Sequence, residues 1–327
     1  MNPQSTDFES NQGKDPDHYL FVGRSYLRDR LHRFAETLSN TYMFFGPPGS
    51  GKLELALHLA TMVLCPYGGC GRCGTCISIS RGEHLDLTIL RRSGNFIEID
   101  DVRSVLRDAV QTPNYGGNRL VIIPEIHLAQ RSGPTLLKTI EEPPSKTIFI
   151  FTAEAIEGEI LPIASRCIQI EVPRLSDAAI KSYLMTLGTL DDQTETIVEA
   201  SIGRLDFAKS LSQNPAMVDY LNQWLAVVES TPHTPTALSE LASILTEAPP
   251  LSSESETKSQ GRKKRDELDL VLMGINYLAR QLSKANLRTT FDRQEALDAL
   301  SRAARSLQLN VSVALAVREA VFSIALL

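Results

Sequence analysis

Residues 41–64, TYMFFGPPGSGKLELALHLATMVL, set a short apolar run directly before a glycine loop and an amphipathic helical pattern directly after it. An uninterrupted apolar run of this kind suits a strand buried on both faces, and a strand that leads straight into a helix belongs to a crossover between parallel neighbours. Compact apolar runs recur at 86–91 (DLTILR), 119–123 (RLVII) and 147–152 (TIFIFT). Helical periodicity separates them. Over 99–110 it gathers Ile99, Val102, Val105, Leu106, Ala109 and Val110 into one stripe, and a second helix is predicted over 132–142, ahead of a double proline. Upstream, residues 21–36 read as a turn feeding an amphipathic helix, with Leu27, Leu31, Phe34 and Leu38 on one face. Strands that alternate with helices predict an α/β fold built on a parallel sheet.

From Leu175 onward the pattern is helical only, beginning with a Ser-capped helix over 176–187 and continuing to about Ser230. Residues 248–265, APPLSSESETKSQGRKKR, have almost no apolar content and read as a flexible linker or exposed loop; the RKKR run at 262–265 fits a solvated charge run better than the alternative of a nucleic-acid patch. The apolar excess of 313–327, VALAVREAVFSIALL, points to packing against something large. Residues 1–17 are polar and expected to be disordered, with no apolar core of a signal peptide, and no run is long enough to span a membrane. A cytoplasmic location is expected. With 33 Lys and Arg against 39 Asp and Glu, the net charge of −6 argues against autonomous binding of a polyanion such as DNA.

The glycine loop carries the first chemical signal. Gly46, Gly51 and Lys52 fit the phosphate-binding pattern G-x-x-x-x-G-K-[ST], with Gly49 inside the loop, and backbone N–H groups at the start of the following helix would face an anion. The pattern fails at Leu53, where a hydroxyl would ligate the magnesium ion that bridges the terminal phosphates. It fails again in RLVIIPEIHLA (119–129), since Pro124 occupies the position of the magnesium carboxylate although Glu125 follows it. Losing both metal ligands removes the charge neutralisation on which phosphoryl transfer depends. No catalytic magnesium and no hydrolysis are expected, while Lys52 and the glycines could still bind nucleotide.

The second signal is CPYGGCGRCGTC, which spaces Cys65, Cys70, Cys73 and Cys76 as C-x4-C-x2-C-x2-C, with glycines at 68, 69, 71 and 74 to allow tight turns. Four thiolates so placed suit a structural, tetrahedral zinc ion without an open position for water. An iron–sulfur cluster is the rival, because its cysteines also come in x2 spacings; four reduced thiols in a loop are the remaining alternative.

Two further blocks, LLKTIEEPP (136–144) and TIFIFTAEAIEGEILPIASRC (147–167), together with their distance from the glycine loop, closely resemble the AAA+ subunits of bacterial DNA polymerase III clamp loaders. The resemblance covers about residues 18–215. It implies an AAA+ α/β domain over 18–172 with a zinc module at 65–76, a helical lid over 173–214 and a helical collar over 215–327 that holds the oligomer together. It also favours zinc over the cluster, although the family's first cysteine spacer is usually longer than the four residues here.

For individual residues, the resemblance implies that Arg166 of Ser165-Arg166-Cys167 projects into a neighbouring subunit's nucleotide site as an arginine finger, the alternative being a structural ion pair, and that Thr152 is a polar sensor of the γ-phosphate. In GRLDFAKSL (203–211), Asp206 stands where active family members carry a second sensor, an arginine. The expectation is therefore a non-hydrolysing member of a five-subunit ring, with gamma/tau and delta subunits as partners, acting on the sliding clamp and on primed DNA as a component of the DNA-directed DNA polymerase holoenzyme. The alternatives are a working gamma/tau motor subunit, which needs a hydroxyl at 53 and Asp at 124, and a zinc-bearing DNA-binding regulator, which needs a basic face.

Overall fold

The computed structural model describes residues 18–90, 96–115, 117–129, 133–188, 191–229, 234–247, 249, 260–284, 293–309 and 311–325. The chain divides into two compact units, Met1–Thr186 and Leu187–Leu327. The expectation of disorder over 1–17 lies outside the described residues.

In the first unit a 3-10 turn, His18–Phe21, precedes α1 (Ser25–Glu36), β1 (Thr41–Phe45), α2 (Lys52–Leu64), α3 (Gly74–Ser80) and β2 (Leu87–Ile89). There follow α4 (Ile99–Ala109), β3 (Arg119–Ile123), α5 (Gly133–Glu141), β4 (Thr147–Ala153), α6 (Leu161–Ala164), β5 (Ile168–Glu171) and α7 (Asp177–Thr186). Among the described residues five strands form one parallel sheet in the order β2-β3-β4-β1-β5. The α/β reading is thus correct, with two revisions. The run at 86–91 contributes only three strand residues, and β5 was not anticipated. Its residues alternate between buried and exposed positions at the sheet edge, so it never presents the continuous apolar run by which the inner strands are legible.

Met43, Val121, Phe149 and Phe151 point to one face of the sheet and pack with Val102, Val105 and Leu106 of α4 and Leu136 and Ile140 of α5. Val110, expected on the α4 stripe, is instead 70% exposed, because α4 ends at Ala109 and the chain turns away. Leu38 is likewise exposed, lying beyond the end of α1, whereas Leu27 and Leu31 are buried as expected. On the opposite face Tyr42 is fully buried, its ring 5.2 Å from that of Phe34 in α1.

The second unit contains α8 (Asp191–Ser201), α9 (Leu205–Gln213), α10 (Pro215–Glu229), α11 (Pro235–Thr246), α12 (Gln260–Ser283), α13 (Arg293–Gln308) and α14 (Val313–Ala325). The largest wholly buried side chain is Trp224 of α10, accommodated because Gly274 of α12 has no Cβ; one built there would lie 2.1 Å from the indole nitrogen. Two expectations change here. Residues 260–265 of the predicted flexible segment are helical and open α12: Lys, Arg and Gln are good helix formers even where there is no apolar stripe to reveal them. The remainder of that segment lies, apart from Pro249, outside the described residues. The apolar face of α14 is also largely satisfied within its own unit, since Ala316, Val317, Ala320, Val321 and Ile324 sit in the same cluster as Trp224; Leu315 remains 59% exposed.

Candidate functional site

Parallel pairing brings the carboxyl ends of β1, β3 and β4 side by side, the place where open α/β sheets bind ligands. The glycine loop leaves β1 there. Gly46 donates to Ala153 O at 3.1 Å, and a Cβ on it would lie 2.1 Å from Val172 O, so only glycine fits. Gly49 and Gly51 have φ of 70° and 86°, and Gly51 caps α2, whose first residue is Lys52. The Lys52 ammonium is turned back onto the loop and donates to Gly46 O at 2.8 Å and Pro47 O at 2.7 Å. Leu53 follows in the first turn of α2, half-buried and without an oxygen to offer a cation.

At the end of β3, Pro124 is followed by Glu125 in the left-handed region, φ 51°. The Glu125 N–H donates to Thr152 Oγ1 at 3.0 Å, and Thr152, in register beside Phe44 of β1, is buried. Sequence and geometry therefore bring Gly46, Gly49, Gly51, Lys52 and Thr152 to one edge of the sheet.

Arg24 was not singled out by sequence reasoning, yet it ties this edge together. Its side chain, 3% exposed as a residue, donates to Leu20 O at 2.7 and 3.0 Å, to Ser50 O at 3.0 Å and to Pro173 O at 2.9 Å. Burial pulls its guanidinium below the ordinary arginine range, with nearby Tyr26, Glu54 and Tyr19 acting in the opposite direction. A lone arginine after a glycine carries no sequence signal for such a role.

Arg166 lies between α6 and β5. Its carbonyl accepts from Thr41 Oγ1 at 2.6 Å, which pins the Ser165-Arg166-Cys167 backbone to the start of β1, and the Cys167 thiol donates to Ile163 O at 3.2 Å. Burial pushes the Cys167 thiol up to about 12. The Arg166 side chain is 40% exposed and pairs with Glu141, the last residue of α5, with Nε and Nη2 at 2.8 and 2.6 Å from Oε1. Nη1 donates to Pro162 O at 2.9 Å and to Ser165 Oγ at 3.3 Å. Glu141 belongs to the LLKTIEEPP block but was not recognised as a partner, because the contact spans 25 residues.

The four cysteines converge. Cys65 follows α2 and Cys73 caps α3, with Gly68, Gly69 and Gly71 at φ of 65°, 90° and 70° turning the chain between them. Gly74 instead opens α3 with ordinary helical backbone and is not one of the turn glycines. Sγ–Sγ separations of 3.9 Å (Cys65–Cys70), 3.7 Å (Cys65–Cys73), 3.9 Å (Cys70–Cys76) and 3.5 Å (Cys73–Cys76) surround one point, and all four sulfurs lie within 4.8 Å of one another. A regular tetrahedron with Zn–S bonds of about 2.3 Å has edges of about 3.8 Å, so the cluster fits such an ion. Burial alone would raise the Cys65 thiol, but N–H groups of Cys70, Tyr67 and Gly69 bring it down to about 6, whereas burial and neighbouring thiols push Cys76 upward.

Asp206 lies in the second unit, in the first turn of α9. It pairs with Arg204 at 2.7 Å, whose guanidinium stacks 3.5 Å above the ring of Phe207.

A glycine loop after β1, a polar residue at the end of β4 and an exposed arginine just before β5 lie on a parallel sheet, as the resemblance to clamp-loader AAA+ subunits implies. Comparison with known proteins agrees: residues 17–176 match the family model described as DNA polymerase III, delta subunit. A delta-prime subunit of DNA polymerase III from Pseudomonas aeruginosa is 30% identical over 168 residues, 49% of this chain and 51% of that protein. A tau/gamma subunit from Haemophilus influenzae is 29% identical over 182 residues, 54% of this chain and 25% of that protein. The chain thus spans about half or less of the length of these two relatives. Among solved structures, a gamma subunit-related protein of Thermotoga maritima superimposes with a TM-score of 0.50 at 15% identity, covering 91% of this chain and 98% of that one, a likeness of fold alone. Among the described residues no helix is long and apolar enough to cross a membrane.

Proposed function

We propose that this chain acts as the non-hydrolysing delta-prime subunit of a DNA polymerase III clamp loader. In this reading it joins gamma/tau and delta subunits in a five-membered ring that loads the sliding clamp onto primed DNA. The observation that carries the proposal is a division within one domain: the glycine loop is built, yet neither Leu53 nor Pro124 can hold magnesium, while Arg166 stands half-exposed outside that pocket. A domain so arranged is suited to presenting an arginine to an adjacent nucleotide site, where such a group can raise phosphoryl transfer by about three to five powers of ten. Cys65, Cys70, Cys73 and Cys76 would hold a structural zinc ion, which would fix the α2–α3 corner. Residues 18–172, 173–214 and 215–327 would serve as AAA+ domain, lid and collar.

Matches to gamma/tau proteins favour a second reading, a motor subunit that turns over ATP itself. The purified chain with magnesium and ATP separates the two: no turnover above background is expected, and a rate like that of an isolated motor subunit would defeat the delta-prime assignment. In the reconstituted complex Arg166→Ala should leave assembly intact and lower ATP turnover severalfold. Unchanged turnover would refute the finger.

A further inference from the structure

Glu141 occupies an electrostatically awkward position. It is the last residue of α5, where the helix dipole disfavours an anion, and Pro143-Pro144 prevent the helix from continuing past it. The Arg166 guanidinium compensates both the carboxylate and the helix end. In doing so it commits Nε and one Nη2 hydrogen to Glu141 Oε1, and its Nη1 hydrogens to Pro162 O and Ser165 Oγ. Among contacts with the described residues, one Nη2 hydrogen is left over. A guanidinium in this state cannot grip a phosphate through two parallel N–H groups, the geometry that makes arginine an effective partner for phosphate. The backbone beneath it is already anchored, by Thr41 to the Arg166 carbonyl and by Cys167 to α6, so only the side chain has to move.

We infer that Glu141 is a positioning residue that competes with phosphate for Arg166: it holds the guanidinium in a parked orientation against α5 and releases it when the γ-phosphate of nucleotide on a neighbouring subunit takes its place. The inference rests on the finger reading above. Both side chains are about half exposed, with side-chain exposures of 40% for Arg166 and 51% for Glu141, so the pair is weak enough to exchange for a multiply charged phosphate. Parking reduces the fraction of subunits ready to act without abolishing activity, and it shields the arginine from other anions before assembly.

The test uses the reconstituted complex with magnesium and ATP. Glu141→Gln should raise kcat/KM for ATP by about two- to fivefold, the range expected from releasing a solvent-exposed ion pair. Glu141→Asp, which keeps the charge on a shorter arm, should fall between wild type and Gln. In an Arg166→Ala background Glu141→Gln should change nothing further, since a competitor has no effect once its target is gone; a purely structural role would change the rate in both backgrounds. In the isolated chain, nitrogen NMR of the Arg166 Nε–H should show faster hydrogen exchange after Glu141→Gln. If Arg166→Ala lowers turnover but Glu141→Gln leaves it unchanged or lowers it, competition is overturned while the finger stands. If Arg166→Ala itself leaves turnover unchanged, the finger falls and the competition with it.

Discussion

The backbone N–H of Glu125 donates to the hydroxyl of Thr152 across 3.0 Å, joining the carboxyl end of β3 to that of β4. The bond supports a residue held at φ 51°, a left-handed conformation that costs a non-glycine residue about 1–2 kcal/mol. Thr152→Val keeps the shape and removes the acceptor. It should destabilise the chain by about 0.5–1.5 kcal/mol, the net contribution of one hydrogen bond, since this one is only partly buried, while Thr152→Ser should retain most of the stability. Urea unfolding would show this, and a Val variant as stable as wild type would mean that the bond does not hold the turn.

Asp86 gives the first unit a defined acid limit. Its carboxylate is buried, which alone would raise its pKa. The N–H and side-chain amide of Asn114 at 2.7 and 2.9 Å, the Tyr115 N–H at 3.1 Å and the nearby Arg119 outweigh this and hold it below the usual carboxylate range. Because the folded value lies below the unfolded one, the stabilisation is complete above the ordinary aspartate value of about 3.9 and is lost as pH falls past it toward the folded value. Thermal unfolding measured from pH 7 downward should show this loss. Asp86→Asn should be less stable at neutral pH by about 1–3 kcal/mol and should show a shallower decline in acid; an unchanged acid limb would rule out Asp86 as its source.

Metal removal gives a third test. Atomic absorption should find about one zinc per chain if the four sulfurs close a tetrahedral site, and Cys73→Ser should reduce that stoichiometry sharply. The same variant, or a strong chelator, should lower the melting midpoint, by about 2–4 °C for each kcal/mol lost in a unit of this size, since binding energy at a structural site is also folding energy. Iron in place of zinc, with visible absorption, would select the cluster alternative; no metal at all would leave the cysteines as packed thiols.

Much of the fold was legible because its signals are local. The runs at 41–45, 119–123 and 147–152 are buried inner strands of the sheet, and burial on both faces demands the unbroken apolar composition by which they are read. β5 escaped notice for the converse reason: an edge strand needs only every other residue apolar, and four residues are too few to establish a period. The start of α12 escaped for a related reason, since charged helix formers need no apolar stripe. The cysteine spacing was readable because few arrangements satisfy four convergent thiolates. Arg24 was not, because a buried arginine takes its meaning from the carbonyls that surround it, here those of Leu20, Ser50 and Pro173.

The order of residues alone determined which chemical groups this protein has and which it lacks: a lysine after the glycines, no oxygen at 53, a proline at 124, four cysteines within one turn-rich stretch. Absence of a ligand atom is a property of composition, and no packing can supply it. Tertiary structure decided what the retained groups do. It turned Lys52 onto its own loop, set the Thr152 hydroxyl beneath Glu125 and placed Glu141 against Arg166. Electrostatic and hydrogen-bond energies depend on separations of a few ångströms, and these arise only when segments distant in sequence are folded onto one sheet.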